Sequence, residues 1–83
     1  MARQMGRLTA LAVSRAKSDG MYADGGGLYL QVTGAGARSW IYRYTLNGRS
    51  REMGLGSLIA VTLSEARARA AEARRLKSAG MRP

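Results

Sequence analysis

The sequence predicts an α+β fold: a three-stranded antiparallel β-sheet packed against a C-terminal α-helix, with a short N-terminal helix. Two observations carry this prediction. Asn47-Gly48 separates two runs that alternate between apolar and polar residues, and this dipeptide is the strongest local signal of a β-hairpin. Thr62 and Glu65 have the spacing of a helix capping box, and the run that follows contains no glycine or proline before Gly80.

Length and composition limit the classes of function. The chain has 83 residues, which is enough for one domain with one small core. It contains no Cys and no His, so disulfides, thiol chemistry and the usual zinc ligands are excluded, and we expect no metal and no cofactor. The longest apolar stretch, residues 58–63, is too short to cross a bilayer, and no signal-peptide segment is visible. We therefore expect a cytoplasmic protein with no membrane partner.

The first predicted element is a short helix over residues 10–17. Thr9 stands where an N-terminal cap belongs, and Ser18-Asp19-Gly20 follows as a stop signal. Asp24-Gly25-Gly26-Gly27 then indicates a tight turn with positive φ. This turn feeds a strand and lacks the lysine and helix start of a phosphate-binding loop, so no nucleotide site is expected.

The strands follow from alternation and from the turn at Asn47-Gly48. Residues 28–33 form the first predicted strand, with every second residue apolar, and residues 34–37 turn the chain into the second. A two-residue turn sets Leu46 opposite Arg49 and therefore Arg43 opposite Glu52. The predicted core face carries Leu28, Leu30, Val32, Trp40, Tyr42, Tyr44, Met53 and Leu55, and the outward face carries Tyr29, Gln31, Thr33, Ser39, Ile41, Arg43, Thr45, Ser50 and Glu52.

A helix over residues 63–79 is expected to cover the core face. At 100° per residue, its apolar positions form one narrow stripe of small side chains, which lets the helix lie close to the sheet. Lys77 stands at the end of that stripe, and Arg67 and Arg74 lie along its border. The stripe itself consists of Leu63, Ala66, Ala70 and Ala73.

The charge of the chain indicates a nucleic-acid partner. Its formal net charge is +9, and all but two of its 14 basic residues are Arg, whose planar fork suits phosphates and guanine edges. Arg43 lies at the centre of the outward face, where it either reads a base or pairs with Glu52. The candidate DNA-binding residues are Tyr29, Gln31, Thr33, Arg38, Ser39, Ile41, Arg43, Thr45, Arg49, Ser50 and Arg51, with Lys17, Arg67 and Arg74 as additional candidate phosphate contacts.

Several motifs occur together in one order along the chain. They are Leu8-Thr9, the run from Tyr22 to Leu30, Arg38-Ser39-Trp40 with Arg43-Tyr44, the run Met53 to Gly56, and the run Leu63 to Arg67. In this combination the chain closely resembles the amino-terminal arm-type DNA-binding domain of prophage tyrosine integrases, the group related to phage P4 integrase.

The resemblance implies a sheet backed by a helix that binds arm-type repeats in double-stranded DNA, with the sheet in the major groove. The resemblance is also compatible with other integrase protomers as partners. It implies a single domain over residues 1–83, with a basic tail at 1–7 and the start of a linker to a core-binding and catalytic part at 80–83.

The catalytic part of such a recombinase is absent from this chain. A tyrosine recombinase uses a tyrosine nucleophile with arginines and histidine, and this chain has no His and no room for that domain. We therefore expect no catalytic residue and a pure binding function, within a parent that is a tyrosine recombinase. Two alternatives stay open: an RNA-binding module, in which Tyr29 stacks a base, and a protein-interaction module of the same recombination complex.

Overall fold

A computed structural model describes residues 7–34 and 36–81 of the chain. Six elements follow one another in this part: helix α1 (Ala10–Arg15), strands β1 (Gly20–Gly25), β2 (Leu28–Val32), β3 (Arg38–Leu46) and β4 (Arg49–Ser57), and helix α2 (Leu63–Ser78). The four strands form one antiparallel sheet in the order β1-β2-β3-β4, and α2 packs across one face of it. Most of the predicted basic tail, Ala35 and the last two residues of the predicted linker lie outside the described residues.

The sheet has four strands, so the prediction of three is wrong in number. The additional strand is β1, which pairs with β2 from Gly20 opposite Val32 to Gly25 opposite Leu28. Its sequence contains two glycines, an alanine and an aspartate, all of which are depleted in strands, and it therefore gave no strand signal. The predicted glycine turn exists but is shorter, because the turn itself is Gly26-Gly27 and the residues before it belong to β1.

The register predicted for the Asn47-Gly48 hairpin is confirmed. Leu46 pairs with Arg49, Arg43 with Glu52 and Ile41 with Gly54, and both turn residues have positive φ, 52° and 76°. Beyond Ile41 the register shifts, because β4 contains a bulge that sets Gly56 opposite Trp40. The bulge was not predicted from the sequence.

The core lies between the sheet and α2. The inward apolar residues of β2 and β3 are buried as far as Tyr42, whereas Tyr44 and Met53, also predicted for the core face, are half-buried and pack against the core. The helix adds the predicted alanine stripe, Ala66, Ala70 and Ala73. Small side chains allow close approach, so Trp40 is fully buried and its indole N–H donates to the Val61 carbonyl at 2.8 Å. The buried apolar residues are Val13, Ala16, Leu28, Leu30, Val32, Trp40, Tyr42, Leu55, Val61, Ala66, Ala70 and Ala73.

The predicted signals at both ends of α2 are confirmed. Thr62 accepts from the Glu65 N–H while the Glu65 carboxylate accepts from the Thr62 N–H, which completes the capping box. At the other end the Gly80 N–H donates to the Lys77 carbonyl and the Met81 N–H to the Leu76 carbonyl, with Gly80 at φ 81°. This arrangement is a Schellman motif, which satisfies carbonyls that the helix leaves without internal partners.

Helix α1 is shorter than predicted. Thr9 caps it by accepting from the Ala12 N–H, as expected, but the helix ends at Arg15, and Gly20 begins β1 instead of ending α1. Two carbonyls near the end of α1, those of Val13 and Ser14, accept from the Arg38 guanidinium at 3.2 and 3.3 Å. Arg38 therefore fastens α1 to the start of β3.

Candidate nucleic-acid interface

The sheet face opposite α2 is formed by alternate residues of all four strands. Because paired residues point to the same side, the register places one side chain of each strand in a row across the sheet. Most of the predicted outward residues lie on this outer face, as do Met21 and Ala23 of β1. Its two longest rows are Met21, Gln31, Ser39 and Ser57, and Ala23, Tyr29, Ile41 and Gly54.

Arg43 lies on the outer face just beyond the last pair of β2 and β3, and two other side chains contact it. Its Nε is 3.3 Å from a carboxylate oxygen of Glu52 on β4, and its Cζ lies 5.5 Å from the centre of the Tyr29 ring on β2. The side chains of Arg43 and Glu52 are 46% and 51% exposed, so both are in contact with solvent. An exposed pair of this kind is worth ~0–1 kcal/mol and can exchange partners when a ligand arrives. The guanidinium is therefore oriented without being buried.

The β3–β4 hairpin projects beyond the other two strands. Pairing between β2 and β3 ends at Leu28 opposite Tyr42, while β3 continues through four more residues to Leu46. Four residues of extended chain span about 14 Å. Arg43 and Glu52 lie at the base of this two-stranded ribbon, followed by Thr45 and Ser50 towards its tip.

The arginines predicted at the strand ends occupy positions whose side chains point to the side of the sheet that α2 covers. Arg49 is opposite Leu46 and Arg51 opposite Tyr44, so alternation directs both away from the outer face. Both are exposed, and both lie on the ribbon, beyond the ladder of β2. Arg38 also has this register, and its guanidinium is engaged with α1. Thr33 follows the last residue of β2, where it is exposed.

The three additional basic candidates occupy different positions. Lys17 is exposed in the connection between α1 and β1. Arg74 is half-buried and donates to the Gly26 carbonyl at 2.9 Å, so it joins α2 to the β1–β2 turn. Arg67 is half-buried and bonded within the fold. The structure therefore does not bring these three residues together with the outer face.

Arg67 and the buried Asp24 form an ionic cluster that the sequence did not indicate. Asp24 is 2% exposed and accepts from Arg67 Nε at 3.0 Å and Nη2 at 2.9 Å, and from the Leu8 N–H at 2.8 Å. Arg67 Nη2 also donates to the Leu8 carbonyl at 2.7 Å. The cluster therefore joins the segment before α1, strand β1 and helix α2.

The electrostatics of this cluster favour the ionised carboxylate. Burial raises the pKa of Asp24, but hydrogen bonds from Arg67 and Leu8 and the charges of Arg67 and Arg74 outweigh burial and hold the pKa below its ordinary value. The same contact raises the pKa of Arg67. Both groups are charged at neutral pH, so the cluster stabilises the fold at that pH.

The described part of the chain offers neither a metal site nor a membrane-spanning helix. Residues 7–34 and 36–81 contain no group of three or more carboxylate, His or Cys side chains arranged to hold a metal ion. No helix in these residues is long and apolar enough to cross a membrane.

The chain matches a known family and several curated proteins. The family model described as Arm DNA-binding domain matches residues 8–83. The integrase of Enterobacteria phage P4 is 40% identical over 82 residues, which cover 93% of this chain and 19% of the relative. The integrase of Shigella phage Sf6 and prophage integrase IntS of Escherichia coli (strain K12) are each 40% identical over 60 residues, covering 72% of this chain and 16% of the relative. The chain thus spans less than a fifth of the length of these relatives.

Proposed function

Because the chain belongs to the arm DNA-binding domain family of integrases, we propose that it binds arm-type repeats in double-stranded DNA as the N-terminal module of a prophage site-specific tyrosine integrase. The outer face of the sheet faces the DNA, and Arg43 reads a base. The observation that carries this proposal is the exposed guanidinium of Arg43, oriented by Tyr29 and Glu52 on a projecting ribbon.

The width of the sheet favours entry by the ribbon alone. Four strands about 4.8 Å apart place the outer two strands about 14 Å from one another before side chains are counted. The major groove of DNA is about 12 Å wide and admits a two-stranded ribbon. The β3–β4 hairpin therefore enters the groove, while β1 and β2 remain at its border.

Two features of the outer face disfavour single-stranded RNA. Proteins that read RNA on a sheet stack several unpaired bases on aromatic side chains. In the described residues, Tyr29 is the single aromatic side chain on the outer face, and the Arg43 guanidinium lies over its ring. The polar and cationic groups of the ribbon suit base edges and phosphates of a duplex better.

A pair of alanine variants tests the proposal. The 83-residue chain first selects its preferred duplex from a random library, and fluorescence anisotropy then measures affinity for that duplex and for a random one. Arg43→Ala should cost ~1–3 kcal/mol on the selected duplex and little on the random one, because the contact with a base edge is lost. Arg51→Ala, which removes the same charge from the helix side of the ribbon, should weaken both duplexes equally.

The outcomes separate the possible roles of the outer face. Equal losses on both duplexes for Arg43→Ala would make Arg43 a phosphate contact. No loss on either duplex would show that the outer face is not the binding face. Stronger binding of single-stranded RNA than of the selected duplex, or binding that is independent of salt, would refute the proposed function.

A further inference from the structure

A basic groove of about 290 Å³ lies beside the projecting ribbon, on the side of α2. It is bounded by the β1–β2 turn at Gly26, by β3 at Tyr44 and Thr45, and by the last turns of α2. The groove exists because β3 continues past the turn while β1 and β2 end there. Arg43 is also part of its lining, but the α2 side chains of the groove lie on the face of the sheet opposite the contacts of Arg43 with Tyr29 and Glu52.

Three donor side chains of α2 line this groove. Arg74, Lys77 and Ser78 stand at helical spacings of three and four residues and therefore share one side of the helix. Among the residues that the structure describes, no acidic side chain lines the groove. Arg74 uses Nη1 to bind the Gly26 carbonyl, and a guanidinium has five N–H donors in total. The side chains therefore supply two positive charges and a hydroxyl to one small volume.

The open edge of β3 adds a backbone donor. The Arg43 N–H donates to the Gly27 carbonyl across this edge, and backbone groups two residues apart in a strand point the same way. The N–H of Thr45 therefore points to the groove, beyond the last paired residues of β2 and β3. A ligand in the groove meets this N–H together with the three side chains of α2.

These donors match one tetrahedral anion with several acceptor oxygens. Basic side chains near the C-terminal end of a helix also interact favourably with the helix dipole, and this interaction alone explains why cations occur there. The dipole does not explain why the side chains of Arg74 and Lys77 both line the groove. Arg75 lies in the same last turn, but it pairs with Glu72 and does not line the groove. The convergence of Arg74 and Lys77 beside an open strand edge is a separate feature of the fold.

We propose that this groove binds one phosphate of the DNA backbone, held by Lys77, Arg74, Ser78 and the Thr45 N–H. The inference rests on the proposed function. A two-stranded ribbon in the major groove of DNA has a DNA strand along each of its edges. The basic groove of the protein opens on the β3 edge of the ribbon. One phosphate of the flanking strand therefore enters the groove while Arg43 faces the base edges.

Salt dependence gives the first test. The logarithm of the binding constant for a duplex falls with the logarithm of salt concentration by about 0.9 for each neutralised phosphate. Lys77→Gln should therefore reduce the slope by about 0.9, so that its loss of affinity relative to wild type is about 3.5-fold greater at 50 mM than at 200 mM salt. Lys77→Arg should retain the wild-type slope, because the charge is preserved.

Arg75→Gln is the matched control. It removes one positive charge from the same turn, about 200° around the helix from Lys77, and its side chain is 64% exposed. We expect its slope to equal that of wild type. Thermal unfolding by circular dichroism confirms that each variant is folded before its affinity is compared.

Single methylphosphonate substitutions in the selected duplex give the second test. Each one replaces a charged phosphate by a neutral group, and one position should weaken wild type while leaving Lys77→Gln unaffected. If Lys77→Gln and Arg75→Gln have the same slope and no position distinguishes Lys77→Gln from wild type, the phosphate site is refuted while duplex binding stands. If wild type itself shows no salt-dependent binding to duplex DNA, the proposed function fails, and the phosphate site fails with it.

Discussion

Replacement of Asp24 by alanine should destabilise the fold more than any single change on the outer face. The variant removes a buried carboxylate that accepts three hydrogen bonds, two from Arg67 and one from the Leu8 N–H. Hydrogen bonds to charged groups contribute about 1.5–3 kcal/mol each, and breaking a fully buried ion pair costs about 3–5 kcal/mol.

The exposure of the partner reduces this cost. The side chain of Arg67 is 41% exposed, so its guanidinium regains water when the carboxylate is removed, whereas the Leu8 N–H loses its acceptor. We therefore expect Asp24→Ala to lower the free energy of unfolding by about 2–3 kcal/mol. For a domain of this size each kcal/mol lowers Tm by about 4–8 °C, so Tm should fall by roughly 10–20 °C.

Acid should remove the advantage of wild type over this variant. Because the pKa of Asp24 is lower in the folded state than in the unfolded chain, its stabilisation is complete above the unfolded value of about 3.9. The stabilisation is lost as pH falls through the lower, folded value. The difference in Tm between wild type and Asp24→Ala should thus be constant from about pH 5 to 7 and shrink below about pH 4.

Thermal unfolding followed by circular dichroism at several pH values measures both effects. For Arg67→Ala, which removes the other member of the pair, the difference in Tm from wild type should also shrink in acid, because protonation of Asp24 relieves a buried carboxylate that has lost its charged partner. A Tm for Asp24→Ala within 2–3 °C of wild type at pH 7, or a difference that grows in acid, would contradict the role assigned to the cluster.

Four further substitutions test the turns, the cap and the core by the same measurement. Gly27 and Gly48 both have positive φ, but of the two only Gly27 lies where an added Cβ would meet a backbone oxygen, at 2.6 Å. Gly27→Ala should therefore lower Tm more than Gly48→Ala. The reverse order would contradict the packing of the β1–β2 turn. Thr62→Ala should cost about 0.5–2 kcal/mol through the lost cap of α2, and an unchanged Tm would refute the capping box as a source of stability. Trp40→Phe should cost about 1–3 kcal/mol, because the Val61 carbonyl loses its buried donor; a cost below about 0.5 kcal/mol would show that another group satisfies that carbonyl.

Local rules were sufficient for the elements that the sequence predicted. The Asn47-Gly48 turn has a fixed length, so it determines every pair in the ribbon down to Ile41 and Gly54. The capping box at Thr62 and the glycine at Gly80 mark the ends of α2 by chemistry that acts within a few residues. These features require no knowledge of distant parts of the chain.

The features that were missed depend on contacts between distant residues. Strand β1 forms because β2 offers an open edge, and four of its six residues are of types depleted in strands. The contact between Asp24 and Arg67 joins residues 43 positions apart in the sequence. The contact between Arg38 and Val13 of α1 joins residues 25 positions apart. An acidic residue beside a glycine turn and an arginine on the border of a buried stripe were the only signals available for the ionic cluster.

Side chains alternate between the two faces of the sheet, so residues that form the core and residues of the outer face follow one another along the same strands. Leu28, Leu30, Trp40 and Tyr42 are packed against α2, whereas their neighbours Gln31 and Ser39 are not part of that core. Substitutions at the outer positions therefore leave the packing intact, and a library randomised there would test the proposed DNA-binding role of the outer face on an unchanged scaffold. The same separation allows the outer positions to change from one such domain to another while the core that determines stability is kept.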